Sequence, residues 1–277
     1  MKIETVSIRK DDPSITLTCY VAESYSNIKR DAMLVIPGGG YAGVCVEHEG
    51  YPVAEAFIPH NFNCFVLNYS VCDKAKGHRP LIDASLAMQY IRENAEAFNI
   101  DPERVFCVGF SAGGHLAASL ATMWHTVKEV PEGINKPTGA ILCYPVLTGK
   151  RGHSHLGSFE MLLGIKDPTD EQLEIYSLEN HVDQRTSPIF LMHTFDDNGV
   201  PVEGSFYFAE ALRKHNIPLQ MHIYPHGAHG ATLANAITGR WYDHTRWNYK
   251  LISGWVQEAV EWTHNLENIV ADLIRHN

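Results

Sequence analysis

The stretch from Val105 to Ala121, Val-Phe-Cys-Val-Gly-Phe-Ser-Ala-Gly-Gly-His-Leu-Ala-Ala-Ser-Leu-Ala, constrains this chain more than any other. Val105 to Val108 form a short apolar run of the kind that makes a buried strand. His115, Leu116, Ala117, Ala118 and Leu120 open a helix of small residues. Between them, Gly109, Ser111 and Gly113 spell Gly-x-Ser-x-Gly, so a strand must turn into a helix at the serine. Such a corner strains the backbone there, and only neighbours without bulk let it close. The helix start presents free N–H groups, that of Ala112 among them, beside the serine hydroxyl.

Apolar runs of the same kind recur along the chain. Ala32–Ile36 stops at Pro37-Gly38-Gly39-Gly40, a strand feeding a glycine loop. Cys64–Leu67 reads as another buried strand, and Gly139–Cys143, Ile189–His193 and Leu219–Tyr224 as further strands. Spacing predicts helices over Val53–Ile58, Leu81–Phe98 and Val202–His215, and a closing helix over Arg246–Asn265. This alternation implies a doubly wound, mostly parallel sheet of the α/β class. Ile3–Ile8 and Ile15–Val21 alternate around the turn Asp11-Asp12-Pro13, which predicts an antiparallel hairpin at the N-terminus. Residues 148–186 lose the rhythm and turn rich in Gly, His and polar residues, with short helical pieces near Phe159–Leu163 and Glu171–Tyr176. With no repeats and no proline-rich linker, residues 1–277 read as one domain carrying 148–186 as an inserted cap segment.

Composition removes several classes of function. Lys+Arg 22 against Asp+Glu 32 gives −10 without a basic stripe, which argues against nucleic acid or an anionic membrane surface as partner. The N-terminus lacks a signal-peptide core, and no run approaches the ~18 apolar residues of a spanning helix. Of the six cysteines, Cys64, Cys107 and Cys143 sit in apolar runs and none forms Cys-x-x-Cys. Buried free thiols and a cytoplasmic protein are the expectation.

A serine hydroxyl becomes a nucleophile when a histidine takes its proton, and that histidine needs a third group to fix its tautomer. Such partners belong on loops after later strands, in the order acid then histidine. Strand 189–193 runs into Asp196 and Asp197, strand 219–224 into His226 and His229. Each pair leaves two candidates. The Gly38-Gly39-Gly40 loop is the natural companion of Ala112 in an oxyanion hole. Without Gly-Lys-[Ser/Thr], it does not read as a phosphate-loop cradle. His153-x-His155 lacks the carboxylates or His-Glu-x-x-His of a metal centre and reads as a polar loop. Asp83 reads as a helix N-terminal charge. Tyr41, Trp241 and Trp247 are candidate pocket aromatics, with core packing the alternative.

At these residues the chain resembles α/β-hydrolase-fold serine esterases, on the branch near acetyl esterases and hormone-sensitive-lipase-like carboxylesterases. The matching stretches are Val-Ile-Pro-Gly-Gly-Gly-Tyr (35–41), Leu-Asn-Tyr (67–69), Gly-Phe-Ser-Ala-Gly-Gly-His (109–115), Asp-Asp-Asn-Gly-Val-Pro (196–201) and Gly-Ala-His-Gly (227–230). The resemblance implies Ser111 as nucleophile. It selects Asp197 by its distance from Val-Pro and His229 by the glycine that follows. It implies an oxyanion hole from Gly39, Gly40 and Ala112, with Tyr41 as a substrate-binding neighbour. The His-Gly-Gly-Gly of lipase-like relatives is Pro37-Gly38-Gly39-Gly40 here, which removes an imidazole that braces the loop. Residues 155–164 are similar to the insertion of bacterial esterases for acetylated sugars. The expected activity is hydrolysis of small acyl esters, acetyl esters of carbohydrate above all, without cofactor or metal. The rival expectations are an exopeptidase or arylformamidase-type amidase of the same fold, and a non-catalytic ligand-binding homologue.

Overall fold

A computed structural model describes residues 1–23, 28–239 and 243–276. The N-terminal strands are β1 (Lys2–Ser7) and β2 (Thr16–Val21). They pair antiparallel with Lys2 opposite Val21, across a turn closed by Ile8 N–H to the Ile15 carbonyl at 3.1 Å. The next are β3 (Arg30–Ile36), β4 (Phe62–Asn68) and β5 (Ile100–Phe110). Then come β6 (Ala140–Cys143), β7 (Ile189–Thr194) and β8 (Leu219–Tyr224). All eight form one sheet in the order β1-β2-β4-β3-β5-β6-β7-β8. β2 runs antiparallel to β4, and every pairing from β4 to β8 is parallel.

Helices cover both faces: α1 (Tyr51–Phe57), α2 (Arg79–Glu93), α3 (Ala112–Met123), α4 (Leu156–Leu163), α5 (Asp170–Glu174), α6 (Glu203–Lys214), α7 (Trp247–Ile252) and α8 (Trp255–His276). The strand period of two sorts the core into halves. Leu34 and Cys107 face one buried cluster with Met88 of α2, Leu116 of α3 and Leu212 of α6. Met33, Val35, Phe106 and Val108 face the other, with Phe57 of α1 and Trp255 and Trp262 of α8. Such double burial is why the central strands are apolar throughout rather than alternating. Phe159, Leu162, Leu173 and Leu178 of 148–186 join the first cluster, so the segment is anchored through its own apolar side chains.

Two helices differ from the expectation. α2 stops at Glu93, because the Asn94 side chain turns back to the Tyr90 carbonyl at 2.8 Å. Phe98 then packs on Phe65 from a turn, centroids 5.1 Å apart. The closing helix is two helices, broken at Ser253-Gly254, where Gly254 N–H takes the Leu251 carbonyl at 3.3 Å instead of continuing the ladder. Glycine disfavours a helix interior by about 1 kcal/mol, and Trp255 restarts the helix with its indole N–H on the Thr232 carbonyl at 2.7 Å. All six cysteines are free thiols; Cys19, Cys64, Cys107 and Cys143 are buried, while Cys45 and Cys72 are exposed. Among the described residues no helix is long and apolar enough to cross a membrane.

Candidate active site

Ser111 stands between β5 and α3 with φ 53° and ψ −118°. That backbone is unfavourable for a residue with a side chain by about 1–3 kcal/mol and persists only where its surroundings dictate it. Here Ser111 N–H donates to the Cys143 carbonyl at 3.0 Å, and the Ser111 carbonyl accepts from His115 and Val146 at 3.0 and 3.1 Å. A methyl group on Gly109 would lie 2.2 Å from the Gly113 carbonyl oxygen, and one on Gly113 would lie 2.2 Å from that of Ile36. The glycines of the motif are thus spaces into which backbone is packed.

The loop after β8 carries His229 to the serine. His229 Nε2 lies 2.9 Å from Ser111 Oγ, and Nδ1 lies 2.8 Å from Asp197 Oδ2. A carboxylate facing Nδ1 fixes the proton there, leaving Nε2 to accept from the serine hydroxyl. Asp197, on the loop after β7, has a fully buried side chain. Its Oδ1 accepts from Gly199 N–H and Val200 N–H at 2.8 Å each, and His193 Nε2 lies 3.3 Å from Oδ2. Burial alone would raise this carboxyl, but bonds from His193, His229 and Val200 N–H hold it well below the usual carboxylate range.

The glycine loop follows β3. Gly38 N–H is taken by Glu49 Oε2 at 2.7 Å. Gly39 and Gly40 sit at φ +126° and +64°, and their N–H groups meet no acceptor among the described residues. Both glycines, with Ser111 and His229, line a cleft of about 580 Å³. Ala112 is the first residue of α3, where N–H groups have no partner within the helix. The site therefore offers a hydroxyl, a base, a buried anion and free amide donors around one cleft.

Known proteins carry the same architecture. One family model, BD-FAE, matches residues 18–141, and another, the prolyl oligopeptidase family, matches residues 140–252. Endo-1,4-beta-xylanase B of Butyrivibrio fibrisolvens is 44% identical over 216 residues, covering 76% of this chain and 34% of that protein. An acetylxylan esterase of Xylanibacter ruminicola is 33% identical over 226 residues, covering 79% of this chain and 44% of that protein. The chain thus spans less than half the length of these curated relatives. The crystal structure of an acetyl ester-xyloside bifunctional hydrolase from Caldicellulosiruptor lactoaceticus is 33% identical, with a TM-score of 0.81 over 95% of this chain and 96% of that one. The chain belongs to the α/β-hydrolase family of esterases.

In this α/β-hydrolase the other members of the two candidate pairs lie apart from the serine. Asp196 and His226 bond to each other with half-exposed side chains, and Asp196 Oδ1 accepts from Gly227 N–H at 3.0 Å. Three further sequence readings need correction. Tyr41 does not line the cleft: it is 1% exposed and turned into the core, its hydroxyl donating to His115 Nδ1 at 2.8 Å. Trp247 is 60% exposed, neither in the core nor along the cleft, and Trp241 lies outside the described residues. Asp83 is no helix N-terminal charge but a buried carboxylate past the first turn of α2, held by Arg9 at 2.7 Å and Ser70 N–H at 2.8 Å. His153 and His155 also separate: His153 Nδ1 meets the Tyr207 hydroxyl, while His155 enters the cleft with Gly157 and Met161 of the 148–186 segment.

Several residues of the α/β-hydrolase site carried no sequence signal that singled them out. His193 fixes Asp197 from within β7, itself held by the Ser205 hydroxyl at 2.8 Å and the Val200 carbonyl at 3.0 Å. Tyr144, directly after β6, lies edge-on to the His229 ring with centroids 5.1 Å apart. Glu49 is 4% exposed, and burial pushes its carboxyl up while the Tyr144 hydroxyl and Gly38 N–H pull it down. A charged residue in the polar run Val-Glu-His-Glu-Gly gives no hint of such burial.

Proposed function

We propose that the protein is a serine carboxylic-ester hydrolase that removes small acyl groups, acetyl above all, from carbohydrate. The observation that carries this reading is the contact of His229 with Ser111 at 2.9 Å and Asp197 at 2.8 Å beside the free N–H groups of the glycine loop. Ser111 Oγ attacks the ester carbonyl while His229 Nε2 takes its proton. The N–H groups of Gly39, Gly40 and Ala112 hold the oxyanion; one such donor is worth about 3 kcal/mol in the transition state. His229 returns the proton to the leaving alcohol, and water then cleaves the acyl-enzyme by the same relay, with Asp197 steadying the imidazolium throughout. The acetyl and carbohydrate assignment draws on the acetylxylan esterase and acetyl ester-xyloside hydrolase relatives. Residues 1–277 act as one domain in this reading, with 148–186 as the wall of the cleft, and the free thiols favour a reducing, cytoplasmic compartment.

The prolyl oligopeptidase family match over residues 140–252 favours an amidase as the second reading. One experiment tests both. Acetylated xylooligosaccharide, p-nitrophenyl acetate and an aminoacyl anilide are offered to the wild-type protein and to Ser111→Ala, with fluorophosphonate labelling in parallel. Acetate release by the wild type alone, with a labelled Ser111, is the expected outcome; turnover of the anilide alone selects the amidase.

A further inference from the structure

The glycine loop lacks the imidazole that lipase-like relatives place before it, and something else must hold its donors in place. Glycines at φ +126° and +64° resist peptide rotation weakly, since no side chain obstructs it. The peptide unit that precedes them is nonetheless gripped at both ends. Its carbonyl, that of Pro37, accepts from the Tyr69 hydroxyl at 2.7 Å. Its N–H, that of Gly38, donates to Glu49 Oε2 at 2.7 Å. The other oxygen of Glu49 accepts from the Tyr144 hydroxyl at 2.8 Å. Tyr144 in turn lies against the His229 ring and accepts from Thr232 N–H at 3.2 Å.

Glu49 is delivered by a π-helical turn, Val46–Gly50, an irregularity that concentrates at functional sites. The same turn presents His48, whose Nε2 meets the Gly230 carbonyl at 2.9 Å, next to the base. Cys45 N–H adds a bond to the Gly38 carbonyl at 3.0 Å. One short segment thus ties the glycine loop to the histidine loop. A buried carboxylate is costly to keep, and here both its oxygens are committed to backbone and to a residue touching the base.

We propose that Glu49 is the positioning residue of the oxyanion hole, fixing the Pro37–Gly38 peptide so that the N–H groups of Gly39 and Gly40 face Ser111. This rests on the reading of Ser111 as nucleophile. Glu49 touches no reacting atom and acts through the loop. Its role depends on reach and hydrogen bonding. The side-chain amide that Glu49→Gln introduces can accept from Gly38 N–H and donate to the Tyr144 oxygen, while Tyr144 turns its own proton to Thr232 Oγ1, 3.2 Å away. Aspartate keeps the charge but is one methylene short of spanning both partners.

The test measures kcat and KM on p-nitrophenyl acetate for Glu49→Gln, Glu49→Asp and Glu49→Ala, with thermal unfolding to establish that each is folded. The expectation is a kcat within about threefold of wild type for Glu49→Gln. Glu49→Asp and Glu49→Ala should lose about tenfold or more in kcat while KM stays within about twofold. A role in packing alone would lower stability without this split between kcat and KM. Wild-type kcat in folded Glu49→Asp overturns the proposal, as does a loss in Glu49→Gln equal to that in Glu49→Asp. Should Glu49→Ala fail to fold, Glu49→Gln and Glu49→Asp decide. Fluorophosphonate labelling reports the underlying reading separately: a wild-type protein that is not labelled at Ser111 overturns that reading, whereas a labelled wild type with a fully active Glu49→Asp overturns only the role of Glu49.

Discussion

Acidification from pH 7 to pH 5 tests one buried ring four residues beyond Ser111. His115 is 2% exposed, with Nδ1 accepting from the Tyr41 hydroxyl at 2.8 Å and Nε2 donating to the Tyr176 carbonyl at 2.9 Å. Burial pushes its pKa down to about 4, against the pull of that carbonyl and with a small push from His181 and His78. Because the folded value is depressed, the unfolded chain takes the proton first. The stabilisation is complete above the ordinary histidine value of about 6.5 and is lost as pH falls toward the folded value. At pH 5 the difference amounts to about 2 kcal/mol, a large part of the stability of an ordinary domain. Below the folded value the consequence reaches the site, because a protonated Nδ1 no longer accepts from Tyr41, which directly follows Gly40. The assay is urea unfolding at pH 7 and pH 5 of the wild type and His115→Asn, whose Oδ1 still accepts near the Nδ1 position. The wild type should lose about 2 kcal/mol more than the variant over this interval. His78 and His155 titrate in both proteins and cancel in the difference. Equal losses in the two proteins would refute the argument.

Further outcomes are expected from the site itself. Ser111→Ala should abolish ester turnover with the fold intact, and Asp197→Asn or His229→Gln should lower kcat by about 10³–10⁴-fold. Asp196→Asn and His226→Gln, at half-exposed side chains, should stay within about tenfold of wild type; steady-state kinetics with p-nitrophenyl acetate reverses the assignment if this pair proves the severe one. Among p-nitrophenyl esters, kcat/KM should peak at acetate or propionate and fall by hexanoate, since His155, Gly157 and Met161 wall a cleft of about 580 Å³. A groove for long chains would instead give up to about fourfold per methylene, so a series rising to octanoate contradicts this reading. Gly109→Ala should yield insoluble or unfolded protein, because its methyl would lie 2.2 Å from a backbone oxygen; a cooperative wild-type melting transition contradicts it.

The sheet was legible because its central strands are buried on both faces, and no other element gives short apolar runs spaced by helices. The helix break at Ser253-Gly254 was not, since Trp247, Leu251, Trp255 and Trp262 keep a helical spacing straight across it. Ser111 was legible through the glycines that its backbone requires. Consecutive acids offered no such mark in their own spacing: Asp196 meets His226 and Asp197 meets His229, and the resemblance rather than the residue pattern singled out the second pair. Tyr41 misled because sequence adjacency to Gly40 says nothing about direction, and its φ of 58° accompanies a side chain turned into the core. Glu49 stayed hidden because its partners, Gly38 and Tyr144, are 11 and 95 residues away along the chain. No local pattern encodes contacts of that range.

The segment 148–186 departs after β6 and returns before β7, yet it brings His155, Gly157 and Met161 to the cleft. Ser111, Asp197 and His229 are fixed by strands outside it. On the function proposed above, chemistry and selectivity are therefore written on separable parts of the chain. An ancestral sequence can lengthen, shorten or rewrite those thirty-nine residues and meet a new ester without renegotiating the geometry that breaks it. The anchors Phe159, Leu162 and Leu178 mark the limit of that freedom, since each is also part of the core that supports α3. Diversification in such a lineage is expected to concentrate between these anchors, where a changed side chain alters what enters and leaves the serine's corner untouched.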